Sequence, residues 1–466
     1  MNPPGPPRDP PGSREPVRRC LTHVMTHGAL ADLLASWLPR QRWFAGAGAG
    51  LGTVEIISDV RLTDGDPELR HLIVSARVAG ETASYQLLLG SRRVLPGDLE
   101  PARIGTLPDG RIGYDGAFDP ALTAVVLAGI AAGRQAGPLR FAAEPGARID
   151  PGAAARMLPQ THSNTSIVFG DRAILKLLRR PYGGHHPDLE VPAALARSGS
   201  RLVATPLGWL EYGPGDPFGE PAVLAILSEF FPNAGNGWGL ATASVAAGPD
   251  DFTEQARLLG QATAEMHAEL TAAFGTATLS AADLAEMSRA MTADLDRALG
   301  LVPGLAAHAA AIRACYADLP ASAGPVAIQR IHGDYHLGQV LHTAGGWVVL
   351  DFEGEPSVPL ATRRAMAPAL RDVAGMLRSF DYAGRHQALA RAADREFAEH
   401  ALEWVRRCQG AFTDGYAERA GEAFAGSGPL LRALTFQKAV YEAVYEARHR
   451  PDWLPIPLAA IAEAGT

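Results

Sequence analysis

The sequence predicts an α+β protein with two lobes, in which a β-rich N-terminal part precedes a mainly helical C-terminal part. Short runs of β-branched and apolar residues, separated by turn-rich segments, fill the first half of the chain. After Trp238 the apolar residues recur three and four positions apart, as they do on one face of an amphipathic helix. The length of 466 residues allows two or three domains, and the composition is that of an ordinary globular protein.

These patterns divide the chain into four segments. Residues 1–25 are rich in proline and charge, which indicates a disordered tail. Residues 26–130 are expected to form a cap subdomain, and residues 131–237 a lobe with a sheet and a helix. Residues 238–466 are expected to form a helical lobe, whose apolar stripes mark helices that pack against a core.

Individual elements can be located within the two β-rich segments. The first helix and the strands that follow it are expected over residues 27–37, 54–60, 71–78 and 82–89. Gly170 and Asp171 join two β-branched runs and predict a β-hairpin. A further strand over residues 222–231 ends at PNAGNG, whose turn chemistry stops a strand sharply.

The composition argues against several classes of protein. The formal net charge is −8 and no long basic run occurs, so nucleic acid is not expected as the main partner. Only three cysteines are present, without a CxxC pair, so neither a disulfide framework nor a zinc cluster is expected. No apolar stretch reaches the roughly 18 residues of a membrane span, and no targeting signal is recognisable, so we expect a cytoplasmic protein.

The segment IHGDYHLGQVL, residues 331–341, carries the first chemical signal. Phosphoryl transfer to a hydroxyl needs a carboxylate that orients the attacking oxygen and takes its proton, and Asp334 suits this role. Five residues later, the amide oxygen of Gln339 can coordinate magnesium. His332 and His336 are expected to brace the loop by hydrogen bonds, and they are also candidates for substrate contacts.

The segment GGWVVLDFEGEP carries the second signal. A short strand over residues 347–350 delivers Asp351 at its end, where a carboxylate can hold the Mg²⁺ that bridges the phosphates of ATP, and Glu353 offers a second acid. Taken singly, HGD could be a turn and DFEG an exposed acidic loop. Together and in this order, they favour a magnesium-dependent kinase.

A kinase also needs groups that hold the phosphates of ATP. The strand RAILK ends on Lys176, whose ammonium could do so, although a solvent-facing lysine is the alternative. The polar turn QTHSNTS precedes this hairpin and could cover the phosphates with backbone N–H groups and hydroxyls. The residues of that turn taken as candidates are Ser163, Asn164, Thr165 and Ser166. Neither GxGxxG nor GxxxxGK[ST] occurs, so the Rossmann and Walker sites lack support.

An acid on the next helix would orient Lys176. Glu190, in HHPDLEV, is the candidate, and a surface acid is the alternative. Pro192 suits only the start of a helix, so Glu190 is expected just before the first turn.

The chain resembles the actinobacterial maltokinases, relatives of the aminoglycoside phosphotransferases with a eukaryotic-protein-kinase-like fold. The matching segments, in a consistent order, are LPRQRWFAG, SNTSIVFGDRAILKLLRR, GGHHPDLEV, EFFPNAGNGWGLATASV, HGDYHLGQVL, LDFEGEP, LRDVAGMLRSFDYA and RPDWLPIP. The resemblance implies a bilobal protein-kinase-like fold with an extra N-terminal β-rich cap subdomain. It also implies transfer of the γ-phosphate of ATP to the anomeric hydroxyl of maltose, giving maltose 1-phosphate for α-glucan synthesis, often beside trehalose synthase.

Roles for individual residues follow from the same resemblance. Asp334 corresponds to the catalytic base, Gln339 and Asp351 to the magnesium ligands, and Lys176 to the residue that holds the phosphates. The segment 228–231 corresponds to a hinge against adenine. In it, the backbone hydrogen bonds are expected from Glu229 and Phe231.

Residues that contact the sugar are harder to identify. Sugar pockets pair aromatic faces with charged or amide groups. The candidates are Asp372, Arg378, Tyr382, Tyr441, Glu442 and Tyr445. For each of them, helix packing or surface charge is an equally good interpretation.

Three hypotheses therefore remain for the function. The first is a maltose 1-kinase, and the second is a kinase of the same fold that acts on another sugar or amino sugar, such as glucosamine or an aminoglycoside. The third is an inactive kinase-like scaffold that binds trehalose synthase. The complete set of Lys176, Asp334, Gln339 and Asp351 argues against the third, because an inactive homologue commonly loses one of them.

Overall fold

A computed structural model describes residues 27–44, 50–78, 80–158, 164–247, 252–322, 325–355, 358, 360–391 and 393–464. The chain forms two compact units. The first comprises Met1–His185 and Pro206–Phe230, and the second comprises His186–Thr205 and Phe231–Thr466. Strands dominate the first unit and helices the second, which confirms the predicted α+β class.

The cap is an antiparallel sheet with a helix packed against it. Its strands are β1 (Leu51–Thr63), β2 (Glu68–Val78), β3 (Glu81–Arg92), β4 (Arg103–Thr106) and β5 (Ile112–Asp115), in the spatial order β1-β2-β3-β5-β4. Helix α1 covers residues 27–37, and its Leu30, Leu34 and Trp37 are buried in one cluster with Leu72 and Tyr85 of the sheet. The helix and the three predicted strands are confirmed, with each strand longer than predicted.

A second antiparallel sheet completes the first unit. After helix α2 (Pro120–Ala132) come β6 (Gln135–Ala136), β7 (Leu139–Ala143), β8 (Ala155–Met157), β9 (Asn164–Phe169), β10 (Ala173–Leu178), β11 (Pro206–Tyr212) and β12 (Ala222–Glu229). Their spatial order is β6-β7-β11-β12-β10-β9-β8. Phe169 pairs with Ala173 across the turn, which confirms the predicted hairpin. Along β10, Leu175 and Leu177 are buried while Lys176 is half-buried, so Lys176 lies on the less buried face.

A buried ion pair joins the cap to this second sheet. The guanidinium of Arg179, just after β10, is fully buried and lies 2.6 Å from the carboxylate of Asp115 at the end of β5. It also donates to Thr165 Oγ1 at 2.9 Å and lies 4.7 Å from the ring centroid of Trp43. A buried charge is tolerated only when its partners satisfy it, and here they come from both sheets. The cap and the second sheet are therefore parts of the same unit.

The second unit is mainly helical. Its helices are α3 (Pro187–Arg197), α4 (Gly237–Ala247), α5 (Thr253–Phe274), α6 (Ala281–Leu299), α7 (Ala309–Ser322), α8 (Leu360–Arg363), α9 (Leu370–Ala390), α10 (Arg395–Ala420), α11 (Gly428–His449) and α12 (Pro455–Ala464). Two small sheets are formed by β13 (Gly235–Asn236), β16 (Val340–Thr343) and β17 (Gly346–Val349), and by β14 (Thr276–Leu279) and β15 (Val326–Gln329). The predicted apolar stripe of α5 is buried, including Ala256, Leu259 and Met266. Among the described residues, none of the helices combines the length and apolar character that crossing a membrane would take.

Candidate active site

Asp334 lies in a loop between β15 and β16 that His332 braces from within. The ring of His332 is buried, and its Nε2–H donates to the carbonyl of Leu350 at 2.8 Å. Because a carbonyl only accepts, this bond fixes the tautomer, and Nδ1 accepts the backbone N–H of Asp334 at 3.3 Å. His336 holds the other side of the loop, where its Nδ1 accepts the N–H of Gly338 at 3.0 Å. Both histidines therefore make the bracing bonds expected of them.

Asp372, on α9, anchors the same loop through hydrogen bonds to its backbone. Its two carboxylate oxygens accept the backbone N–H groups of His332 at 2.8 Å and Gly333 at 2.9 Å. His267 Nε2 lies 3.1 Å from Asp372 Oδ2, and the hydroxyl of Tyr416 lies 2.9 Å from His267 Nδ1. Burial by itself raises the pKa of Asp372, but the bond and charge of His267 together with the backbone donors hold that pKa below its ordinary value. Asp372, a candidate for sugar contact, is thus already used in holding the catalytic loop.

Asp351 follows β17 in a strained backbone conformation. Its φ of 64° is the only positive value for a non-glycine among the residues that the structure describes. Such a conformation is unfavourable for an L-residue and tends to occur at functional sites. The amide nitrogen of Gln339 donates to Asp351 Oδ2 at 3.3 Å, so the two predicted magnesium ligands lie side by side.

Two further acids lie beside Asp351. Carboxylate oxygens of Asp188, Asp351 and Glu353 all lie within 4.8 Å of one another. Three carboxylates form an oxygen donor set of the kind that hard divalent cations prefer, so these residues fit Mg²⁺. Sequence reasoning missed Asp188, although it occurs in the segment GGHHPDLEV that carries the resemblance.

The nucleotide candidates lie mostly in the first unit. Asn164, Thr165 and Ser166 begin β9, opposite Lys176 on β10, with Ser166 paired directly to Lys176. Ser163 falls outside the described residues. Glu229 ends β12, and the chain passes into the second unit between Phe230 and Phe231. Their roles towards ATP stay predictions.

Glu190 lies inside a helix, which corrects the prediction that it precedes the first turn. Helix α3 begins at Pro187 and continues through Pro192 to Arg197. A proline inside a helix removes one intrahelical hydrogen bond and crowds the preceding turn, yet α3 continues past Pro192. In the second unit, Arg330 Nη1 lies 3.3 Å from Glu190 Oε2. The pairing of Glu190 with Lys176 stays a prediction.

A cavity of about 520 Å³ opens beside Asp334 within the second unit. Of the predicted sugar candidates, Asp372 and Tyr441 line it. Other charged residues of the lining were not predicted from the sequence, and they include Glu355, Arg363, Lys438 and Arg448. Lys438 Nζ lies 3.9 Å from Asp334 Oδ1 and 3.8 Å from Glu355 Oε2, so one ammonium lies between two carboxylates.

Helical geometry explains why the sequence indicated only part of this lining. Lys438, Tyr441 and Arg448 lie three and seven positions apart on α11 and line the cavity. Glu442 follows Tyr441 but does not line the cavity, and Tyr445 is an exposed residue that stacks on Tyr441 at 6.4 Å between ring centroids. The helical spacing in KAVYEAVYEARHR was the available signal, but the sequence does not say which face meets the cavity.

The remaining sugar candidates form a buried charge network between α9 and α11. The guanidinium of Arg378 lies 2.7 Å from both Asp381 Oδ2 and Glu442 Oε2. Burial raises the pKa of Glu442, although the charge of Arg378 opposes this shift. The hydroxyl of Tyr382 donates to Glu446 at 3.1 Å, and burial also raises the pKa of Tyr382. These contacts connect the helix that anchors the catalytic loop to the helix that lines the cavity.

Two segments of the chain match known families. Residues 37–119 match the maltokinase N-terminal cap domain, and residues 183–406 match the phosphotransferase enzyme family. A glucosamine kinase of Streptacidiphilus jiangxiensis is 36% identical over 63% of this chain and 70% of its own length. A glucosamine kinase of Mycolicibacterium smegmatis is 31% identical over 66% of this chain and 78% of its own length.

Solved structures agree with this assignment. A glucosamine kinase in complex with glucosamine, ADP and inorganic phosphate has a TM-score of 0.66 and 28% identity, covering 93% of this chain and 98% of its own. A second crystal form gives a TM-score of 0.66 and 27% identity over 92% and 98% of the two chains. These matches confirm the predicted fold class, with its cap and kinase-like domain. The chain belongs to the phosphotransferase enzyme family, carries a maltokinase N-terminal cap domain, and is an ATP-dependent phosphotransferase that acts on a sugar hydroxyl.

Proposed function

We propose that this sugar kinase phosphorylates glucosamine, using ATP and Mg²⁺. The observation that carries the proposal is the position of Lys438, whose ammonium lies between the carboxylates of Asp334 and Glu355 in the cavity. These two carboxylates can accept hydrogen bonds from the protonated amine of a sugar, while the cations of the lining, among them Arg363 and Lys438, limit the net negative charge there. The names of the two curated relatives support the same acceptor.

The reaction follows from the residues in the loop. Asp334 orients the acceptor hydroxyl and takes its proton as the oxygen attacks the γ-phosphorus, while the bond to the leaving oxygen of ADP breaks. The products are the sugar phosphate and ADP. We propose that Lys176 and the start of β9 hold the phosphates, and that the backbone near Glu229 and Phe231 binds adenine.

Gln339 and Asp351 would hold Mg²⁺, with Glu353 and Asp188 close by. When bound, the ion supplies positive charge that neutralises the phosphate oxygens during transfer. The strained backbone of Asp351 supports this role, because such strain persists where the surroundings fix it for function.

Maltose is the second candidate acceptor, and the match to a maltokinase cap favours it. With maltose, the product would be maltose 1-phosphate for α-glucan synthesis, and trehalose synthase would be the expected partner. The cap does not decide between the sugars, however. The glucosamine kinase structure covers 93% of this chain, and the part left uncovered is smaller than the cap at residues 37–119. A glucosamine kinase therefore matches much of the cap as well.

Release of ADP across four acceptors tests the proposal. Glucosamine is expected to give the highest kcat/KM when compared with maltose, glucose and an aminoglycoside. A preference for maltose would overturn the glucosamine assignment and support the second candidate. Release of ADP with none of them would contradict both.

Replacement of Glu355 by glutamine is expected to raise KM for glucosamine about tenfold. The variant would lose the charge-assisted hydrogen bond between the carboxylate of Glu355 and the ammonium of the sugar. Such a bond is roughly twice as strong as a hydrogen bond between neutral groups. Glucose is the matched control, because it lacks the amine and its KM should stay nearly unchanged. An equal rise in KM for both sugars would show that Glu355 does not recognise the amine.

A further inference from the structure

We propose that Asp188 is a positioning residue of the metal site, which holds Asp351 in its metal-binding conformation through the backbone of Phe352. The inference rests on the proposed role of Asp351 as a magnesium ligand. It adds a residue of helix α3 that neither the sequence analysis nor the family match assigns. It is independent of which sugar the enzyme accepts.

The backbone of Asp351 needs support from its surroundings. A left-handed conformation brings the Cβ of an L-residue close to the following carbonyl oxygen, so the chain leaves it unless neighbouring contacts prevent this. Both peptide groups beside Asp351 must therefore be fixed. The fixed backbone conformation then sets the direction of the Asp351 side chain, which lies next to the amide of Gln339.

The preceding residue is fixed by the catalytic loop. Leu350 donates its N–H to the carbonyl of Gln339 at 2.9 Å, and its own carbonyl accepts from His332 Nε2 at 2.8 Å. These bonds link the strand that carries Asp351 to the loop that carries Asp334. They hold one side of the left-handed residue.

The following residue is fixed by Asp188. The N–H of Phe352 donates to Asp188 Oδ1 at 2.9 Å, across a separation of 164 residues in the chain. The ring of Phe352 is buried and lies tilted against the ring of His332, with 4.9 Å between their centroids. Asp188 therefore fixes the second side of Asp351.

The start of α3 places Asp188 where it can do this. Pro187 occupies the first position of the helix, where its fixed φ suits helix entry, and Asp188 follows in the first turn. A carboxylate there is also stabilised by the positive end of the helix dipole. Glu190, two positions on, pairs with Arg330 just before the catalytic loop. The first turn of α3 thus contacts two segments: Phe352, next to Asp351, and Arg330, just before the loop that carries Asp334.

Asp188 could instead act by its charge, because its carboxylate lies close to those of Asp351 and Glu353. The two roles need different chemistry. A hydrogen-bond acceptor is kept by asparagine and lost with alanine, whereas a negative charge is lost with both. Asp188→Asn and Asp188→Ala therefore separate the two roles.

The test is a titration of Mn²⁺ into enzyme saturated with ADP, followed by electron paramagnetic resonance, so that no turnover is required. We expect Asp188→Ala to weaken Mn²⁺ binding about tenfold, the effect of losing one strong hydrogen bond, and Asp188→Asn to stay within about twofold of the wild type. Unchanged binding in Asp188→Ala would overturn the proposal. Equal weakening in both variants would overturn it in favour of a role through charge.

Asp394→Ala is the matched control for lost stability. Asp394 Oδ1 accepts the N–H of Phe397 at 2.9 Å, which is the same kind of bond at the start of α10. This variant should lose similar thermal stability and keep its Mn²⁺ affinity. Asp351→Asn should lose Mn²⁺ binding. If wild type and Asp351→Asn bind Mn²⁺ alike, the proposed metal site itself is wrong, which distinguishes that failure from failure of the role of Asp188.

Discussion

Replacing Asp334 by asparagine is expected to lower kcat by about 10²- to 10⁴-fold, the contribution typical of a positioned general base. The amide keeps the shape of the side chain but cannot take the proton of the acceptor hydroxyl. The loop should keep its conformation, because its anchors are backbone N–H groups of His332 and Gly333 that bond to Asp372. The variant should therefore fold and bind ADP normally.

Initial rates of ADP release give kcat, and calorimetry gives the affinity for ADP. Asp414→Asn is the control, because Asp414 is exposed on α10 and does not line the cavity. Its rate should match the wild type. If Asp334→Asn retained full activity, Asp334 would not be the base. If it lost ADP binding as well, its role would be to support the nucleotide site.

Replacing Asp372 by asparagine is expected to lower kcat by about 10²-fold and the free energy of unfolding by about 2–4 kcal/mol. Both oxygens of Asp372 accept backbone N–H groups, so an NH₂ group in place of one oxygen leaves a buried donor facing a donor. His267 would also lose its charged partner. The rate falls because Asp334 no longer sits accurately against the acceptor.

Urea unfolding as a function of pH checks the electrostatic part of this prediction. The pKa of Asp372 is lower in the folded protein than its ordinary value, so its ionised form stabilises the fold above about pH 4. That contribution disappears as the pH falls through the folded-state pKa. The wild type should therefore lose more stability than Asp372→Asn on acidification below about pH 4. Parallel curves for the two proteins would contradict the assignment.

The sequence indicated the candidate catalytic residues because they lie close together in the chain. Asp334, Gln339 and Asp351 occupy one loop–hairpin segment, so their order and spacing are visible as a motif. The cap strands and the hairpin that carries Lys176 were also predictable, since the period of a strand and the chemistry of a turn are local properties. The position of Glu190 relative to α3 was predicted wrongly, because Pro192 was expected to lie at the start of the helix.

Contacts between distant segments were not predictable in the same way. Asp188 bonds to Phe352 across 164 residues, and no period or spacing marks that pair. Asp372 was predicted as a candidate for sugar contact, and the sequence did not show that its carboxylate also accepts backbone N–H groups of the loop that carries Asp334. On α11 a step of one residue turns the side chain by about 100°, so Tyr441 lines the cavity while Glu442 pairs with Arg378.

The sequence by itself therefore determined the reaction, the fold class and the residues expected at the phosphoryl-transfer centre. Only the tertiary structure decided what surrounds that centre: the anchors of the catalytic loop, the support of Asp351, and the position of Lys438 between Asp334 and Glu355. The physical reason is that catalytic motifs are local in the chain, whereas anchoring and acceptor recognition depend on which helix faces packing brings together.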